Sequence, residues 1–146
     1  MGKKFKIPPT KVNFQSTKIK PTPLPSEQKI SFNFCRLTHK YTKFVYSDRD
    51  PAYFLKLLER LQNISGLTRK ELATSFASTL RHHRIDFNDK RVSENSFGIL
   101  SDDAHDDAWQ LCLSQSEHGR IHGYFVVNTF YVVWLDPKHE LYPGPN

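Results

Sequence analysis

Hydrophobic and polar residues alternate along the last third of the chain in a pattern that predicts three consecutive β-strands. The alternation runs over Trp109–Ser114, Arg120–Val127 and Thr129–Leu135. Asn128 leaves room only for a tight reversal, so the last two segments are predicted to pair as a hairpin. Apolar residues occupy both faces of the last segment, which is typical of a strand inside a sheet. Pro137 should end it, because proline has no N–H to donate to a neighbouring strand.

Helical spacing replaces this alternation in the middle of the chain and predicts a first helix. Asp50 is a suitable N-cap, Pro51 fits the first helical position, and Ser65-Gly66 should stop the helix. The predicted apolar face of this helix is made of Phe54, Leu57, Leu58 and Leu61.

A second helix is predicted to start immediately afterwards. Thr68 and Glu71 have the spacing of a capping box, and one apolar face continues through Leu72, Phe76 and Leu80. The short connection predicts that the two helices form a hairpin whose apolar faces belong to the core.

An earlier alternating stretch, Ile30–Cys35, adds a strand ahead of the helices. The order of strand, two helices and three strands predicts an α+β fold. In this fold the helical hairpin packs on one face of a four-stranded, mainly antiparallel sheet. We expect residues 29–146 to form this single domain. Residues 1–28, rich in proline and lysine, are predicted to be a disordered, flexible arm.

The net charge of +6 is concentrated in the predicted arm. Met1–Ser26 contains six lysines and no acidic residue, so the remaining residues are formally neutral. The arm is either a solubilising leader or a segment that binds phosphates through residues such as Lys3, Lys4 and Lys6.

Several classes of protein are disfavoured by what the sequence lacks. Cys35 and Cys112 are far apart and form no CxxC motif, which argues against a zinc knuckle or a redox site. No apolar run approaches the ~18–20 residues of a membrane helix, and the basic start leads into no apolar signal core. We expect a soluble, cytoplasmic protein with no cofactor and no contact with a membrane.

The ends of the predicted hairpin carry side chains suited to RNA cleavage. Attack of a 2′-hydroxyl on the neighbouring phosphorus needs a base, an acid and a cation that stabilises the phosphorane. Arg120 is the candidate cation because a guanidinium binds phosphate through two parallel N–H groups. His139 is the candidate acid and His122, on the same strand face as Arg120, the candidate base. Tyr142 would position the sugar or transfer a proton.

Further residues are candidates for completing the site or for binding RNA. His83, which follows the helical hairpin, could join the catalytic group. Arg81 and Arg84 could bind the RNA backbone, and Tyr124 could stack on bases. Structural interpretations remain open for the main candidates: Arg120 paired with Glu117 or Asp136, His122 bonded to a carbonyl, and Tyr142 as a lid on the core.

The order of elements and the end of the sheet resemble the RelE/ParE superfamily of bacterial toxins. The resemblance covers roughly Lys29–Tyr142 and is greatest to the branch typified by YafQ and HigB. It rests on Gly119-Arg120 opening a strand and on His139-Glu140-Leu141-Tyr142 closing the sheet. It implies metal-independent cleavage of mRNA on the ribosome and neutralisation by an antitoxin. The long polar loop after the second helix and the formally neutral core depart from that family.

Three functions therefore stand as hypotheses. The first is a metal-independent endoribonuclease (mRNA interferase) of a toxin–antitoxin system. The second is a non-catalytic module of the same fold that binds nucleic acid or a protein partner. The third is a metal-dependent hydrolase that uses His82 and His83 with the acidic cluster Asp102–Asp107.

Overall fold

The computed structural model describes residues 27–38, 43–75, 82–99, 107–114 and 118–144, which form an α+β fold. The helices are α1 (Pro51–Ser65) and α2 (Arg69–Ser75). The strands are β1 (Ser31–Asn33), β2 (His83–Arg84), β3 (Ala108–Cys112), β4 (Arg120–Val126) and β5 (Thr129–Asp136). The predicted arm, residues 1–28, lies almost entirely outside the described residues.

The described strands form one mixed sheet in the order β1-β5-β4-β3-β2. β1 runs parallel to β5, and the other neighbouring strands are antiparallel. The predicted β4–β5 hairpin and the interior position of β5 are confirmed. The sheet has five strands rather than the predicted four, because His83–Arg84 pairs with β3. A two-residue strand is too short to produce an alternating pattern in the sequence.

Both helices begin where their capping residues predict. The Asp50 carboxylate accepts a hydrogen bond from the backbone N–H of Tyr53 at 3.0 Å. The Thr68 N–H donates to Glu71 Oε2 at 2.7 Å, and the Glu71 N–H donates to Thr68 Oγ1 at 3.2 Å. This reciprocal pair confirms the predicted capping box. The predicted continuation through Phe76–Leu80, and with it the full hairpin, lies outside the described residues.

We expect Thr68→Ala to lower the free energy of unfolding by about 1 kcal/mol, because α2 loses the acceptor for a first-turn amide. Lys70→Ala, at an exposed position on the same helix, is the matched control and should change it by less than ~0.5 kcal/mol. Chemical denaturation at pH 7 measures both values. Equal losses in the two variants would contradict the capping role of Thr68.

The two helices cover one face of the sheet. Leu72 of α2 joins the core, and the buried side chains of α1 are Tyr53, Leu57, Leu61 and Ile64. The prediction that Leu58 lies on the buried face is wrong, because Leu58 is 63% exposed. The buried face of α1 passes through Leu57 and Leu61 instead. No helix in the described part of the chain combines the length and apolar character needed to cross a membrane.

Irregular segments, rather than helices, cover the opposite face of the sheet. Their buried side chains are Phe44, Ile85, Phe97 and Leu141, which pack with Tyr124, Val133 and Trp134 of the sheet. Phe44 stacks on Trp134 with ring centroids 4.5 Å apart. Because these segments also run past the start of β4 and the end of β5, they form walls beside Arg120 and the residues that follow Asp136.

Candidate functional site

A cavity of about 600 Å³ opens on the sheet face that the irregular segments cover, beside the start of β4. This volume is within the usual range for small-molecule sites. Five residues predicted from the sequence to be functional line it: His83, Arg84, Arg120, His139 and Tyr142. His82, Gln110, Asp86, Asp89 and Arg91 complete the lining.

Arg120 is a buried cation in this cavity, with only 6% of its surface exposed. Its Nη1 donates to the carbonyl oxygens of Gly119 at 3.0 Å and Ser114 at 3.3 Å, and its buried Nε has no hydrogen-bond partner. Among the described residues, no carboxylate lies within ion-pair distance of the guanidinium. Gly119 has a φ of 76° and no room for a Cβ, which would lie 2.0 Å from Asp136 O. The start of β4 is therefore held tightly against the end of β5.

Asp136 fixes the turn that carries His139. One carboxylate oxygen accepts the N–H of Glu140 at 2.8 Å, and the other accepts the N–H of Leu141 at 3.0 Å. The second oxygen also accepts from His122 Nε2 at 2.9 Å. His139 adopts a left-handed backbone with a φ of 58° inside this turn. The chain folds back after β5, and His139 therefore lines the cavity.

Asp136 and His122 form a buried, hydrogen-bonded pair in which the pKa of each group is lowered. Burial tends to raise the pKa of Asp136, but the hydrogen bonds from His122 and the two amides outweigh it, so the pKa lies below 3.8. Burial lowers the pKa of His122 more than its bond to Asp136 raises it. The pair at neutral pH is consequently a carboxylate and a neutral imidazole whose Nε2–H donates.

The structure does not bring His122 or Tyr124 to the cavity. His122 is fully buried, with its ring centroid 6.2 Å from Phe44 and 6.5 Å from Trp134. Tyr124 is buried and stacks on Tyr131 with centroids 5.2 Å apart. The cause is common to both: their strand face is covered by irregular segments. A general base must contact the RNA, and an aromatic ring that stacks on nucleobases must be exposed to them. Neither His122 nor Tyr124 is exposed enough for these roles.

The hydrogen bonds of His83 fix its tautomer and hold its basic nitrogen against Gln110. Its Nδ1 donates to the carbonyl oxygen of Arg84 at 2.7 Å, and its Nε2 accepts from Gln110 Nε2 at 3.1 Å. The ring meets Tyr142 edge-on, with centroids 5.4 Å apart. A proton held on Nδ1 leaves Nε2 as the basic nitrogen, which can accept a substrate proton once the Gln110 amide releases it.

His82 is a cavity residue that sequence reasoning did not assign to the catalytic group. Only 3% of its surface is exposed, and its Nδ1 accepts the N–H of Cys112 at 2.9 Å. Burial, reinforced by the nearby charges of Arg60 and Arg120, lowers its pKa to about 4. The imidazole is therefore neutral at pH 7. The sequence indicates it only as a candidate metal ligand, because its place in the cavity depends on the contact with β3.

We expect the free energy of unfolding to fall by about 3 kcal/mol between pH 6.5 and 4 through His82 alone. The unfolded chain takes up the proton at a higher pH than the folded chain, so acid favours unfolding. Above pH 6.5 the His82 imidazole is neutral in both the folded and the unfolded chain, so it costs no stability there. The lowered pKa of His122 acts in the same direction.

Urea titrations at several pH values test this slope. His82→Gln should flatten it, whereas Ile85→Val should lower stability by a similar amount at each pH because it removes no titrating group. An unchanged slope in His82→Gln would refute the assignment.

The mouth of the cavity carries charges of both signs. Arg91 Nη2 donates to Asp89 Oδ2 at 2.6 Å, and Arg91 Nε lies 3.1 Å from both oxygens of that carboxylate. These bonds lower the pKa of Asp89 to about 2. Asp86 lies on the same segment, and its Oδ1 accepts the N–H of Asn88 at 2.9 Å. Within the described residues, the buried charge of the cavity that no carboxylate balances is therefore Arg120.

Several candidates cannot be placed. Lys3, Lys4, Lys6, Arg81 and Asp102–Asp106 lie outside the described residues. Asp107 accepts from Trp109 Nε1 at 2.7 Å and pairs with Arg69 and Arg84.

Within the described residues, no cluster of three or more His, Cys, Asp or Glu side chains is arranged to hold a metal ion. The cavity thus combines one buried arginine, three histidines and a tyrosine. Comparisons of the chain with protein-family models, curated proteins and solved structures find no match.

Proposed function

We propose that this chain is a metal-independent endoribonuclease, an mRNA interferase of the RelE/ParE type. The observation that supports this best is the shared cavity of Arg120, His83, His139 and Tyr142, in which Arg120 has no carboxylate partner among the described residues. A buried guanidinium without a counter-charge favours an anionic ligand with several acceptor oxygens.

The proposed reaction assigns one role to each of these side chains. His83 Nε2, once substrate displaces the Gln110 amide from it, removes the proton of the 2′-hydroxyl, which attacks the adjacent phosphorus. Arg120 stabilises the negative charge that develops on the non-bridging oxygens. His139 protonates the 5′-oxygen as its bond to phosphorus breaks, leaving a 2′,3′-cyclic phosphate and a 5′-hydroxyl. Tyr142, packed on the ring of His83, orients the ribose.

The two helices form a RelE-like hairpin. The substrate is mRNA in the cytoplasm, free or on the ribosome, and a cognate antitoxin is the expected protein partner. Arg84, at the cavity, neutralises a backbone phosphate together with Arg81 and the lysines Lys3, Lys4 and Lys6.

Incubation of the full chain with labelled single-stranded RNA in excess chelator, with and without ribosomes, tests the proposal. We expect fragments that end in a 2′,3′-cyclic phosphate, and no cleavage of DNA of the same sequence, because DNA lacks the nucleophile. Arg120→Lys should lose activity since an ammonium lacks the planar pair of donors. Arg36→Ala, at an exposed position outside the cavity, should retain activity.

Absence of cleavage under both conditions would reject the nuclease. RNA binding that persists without cleavage would instead favour a non-catalytic module of the same fold. Cleavage that disappears in chelator would favour the metal-dependent alternative.

A further inference from the structure

We propose that His82 and Arg120 form a phosphate-binding subsite in the cavity, with His82 acting as a neutral hydrogen-bond donor to a phosphoryl oxygen of RNA. The assignment of RNA as the source of the phosphate rests on the proposed function. The subsite itself rests on hydrogen bonding and burial.

The tautomer of His82 follows from its contact with β3. The backbone N–H of Cys112 can only donate, and it points at His82 Nδ1 from 2.9 Å. Nδ1 must therefore accept, which leaves the ring proton on Nε2. Within the described part of the chain, the Nε2–H has no hydrogen-bond acceptor. His82 thus contributes a donor to the cavity that it lines.

Arg120 contributes charged donors to the same cavity. Its Nη1 is engaged by two carbonyl oxygens, but neither contact neutralises the positive charge. Its Nε is buried without a partner. Buried donors are normally paired, and an unpaired donor on a cation is especially unfavourable. His82 and Arg120, each more than nine-tenths buried, therefore line one cavity with N–H donors that no acceptor among the described residues engages.

The chemistry of these donors restricts the ligand. His82 has its only lone-pair nitrogen occupied by Cys112, so it is not available as a metal ligand in this tautomer. Arg120 has no acceptor. The ligand must supply the acceptors and the negative charge, as a phosphodiester or phosphomonoester does. Tyr142 and Asp86 line the same cavity and offer contacts to the sugar and base of a nucleotide that a free phosphate ion does not use.

Binding of adenosine 3′-monophosphate and of inorganic phosphate to the full chain tests the subsite separately from catalysis. Calorimetry at pH 7 in chelator should give tighter binding for the nucleotide. His82→Leu should weaken nucleotide binding on the order of 10–100-fold, because it removes a hydrogen bond to a charged group. His82→Gln should restore most of the affinity, since an amide can accept from Cys112 and donate to phosphate. Arg36→Ala should bind as tightly as the unsubstituted chain.

A second measurement avoids dependence on the fold of the leucine variant. The Nε2–H resonance of His82 in the unsubstituted chain should shift on addition of the nucleotide. Equal affinities of the histidine and leucine proteins, no shift of this resonance, or no binding of either ligand would each overturn the inference. Equal binding of inorganic phosphate and the nucleotide would overturn the assignment to RNA.

The inference and the nuclease proposal fail in different ways. His82-dependent binding without RNA cleavage supports the subsite and rejects the nuclease. RNA cleavage with nucleotide binding that is indifferent to His82 supports the nuclease and rejects the subsite.

Discussion

Replacing His139 with asparagine is expected to slow RNA cleavage by at least about 100-fold while the fold is retained. The imidazole is the proposed general acid, and loss of one such group usually lowers a rate by about 10²–10⁴. The φ of His139 is 58°, a region that asparagine adopts more readily than most residues. The substitution therefore removes the proton donor without adding backbone strain. Single-turnover cleavage of labelled RNA and thermal unfolding measure the two effects.

A modified substrate separates loss of the acid from general damage to the site. RNA with sulfur in place of the 5′-bridging oxygen has a leaving group that needs no proton, so His139→Asn should cleave it nearly as fast as the unsubstituted chain does. His118→Asn, outside this cavity, is the matched control and should cleave ordinary RNA at the unsubstituted rate. Equal slowing on both substrates would contradict the role of His139 as an acid.

The sequence predicts the helix caps and the tight turn correctly, because neighbouring residues determine these parts of the fold. The caps at Asp50 and Thr68 and the reversal at Asn128 depend on neighbouring residues, and all three lie where the sequence predicts. The end of β5 at Asp136 follows directly from Pro137. The sequence could also anticipate that Arg120 would lie near the segment after β5, because hairpin pairing sets Arg120 opposite Asp136.

Burial of the second sheet face was not predictable from periodicity. The segment that covers it contains Phe87, Val92, Phe97 and Ile99 at irregular spacing, and it reads as a polar loop. The alternating pattern of β4 indicates which residues share a face but not whether a loop covers that face. This explains why His122 was expected at a water-accessible rim and instead lies in the core.

The cavity likewise depends on long-range pairing. β2 joins the sheet through two residues, and this contact brings His82 and His83 beside Arg120. In a helix, two adjacent histidines would point about 100° apart, but His83 lies in a strand. Their different roles instead come from different partners: Cys112 fixes the proton of His82 on Nε2, and Arg84 fixes the proton of His83 on Nδ1.

Asp136→Asn is expected to lower the free energy of unfolding by about 3 kcal/mol, because it weakens hydrogen bonds to a buried charged group. The carboxylate is 1% exposed and accepts three hydrogen bonds, from Glu140, Leu141 and His122. An asparagine offers one acceptor oxygen and turns an NH₂ group toward the remaining donors. Urea denaturation at pH 7 measures the loss, and Asp48→Asn, which alters an exposed pair with Arg49, should have a far smaller effect.

The same substitution tests whether Asp136 positions His139 or only stabilises the core. If the carboxylate holds the turn that presents the imidazole, Asp136→Asn should slow cleavage even at temperatures where the variant stays folded. In the His139→Asn background it should then slow cleavage little further, because the group that it positions is already absent. Strictly multiplicative losses in the double variant would show that Asp136 acts on the rate independently of His139, and an unchanged rate in folded Asp136→Asn would show that it acts on stability alone. Non-additive losses would tie the Asp136 carboxylate to the chemistry of the cavity.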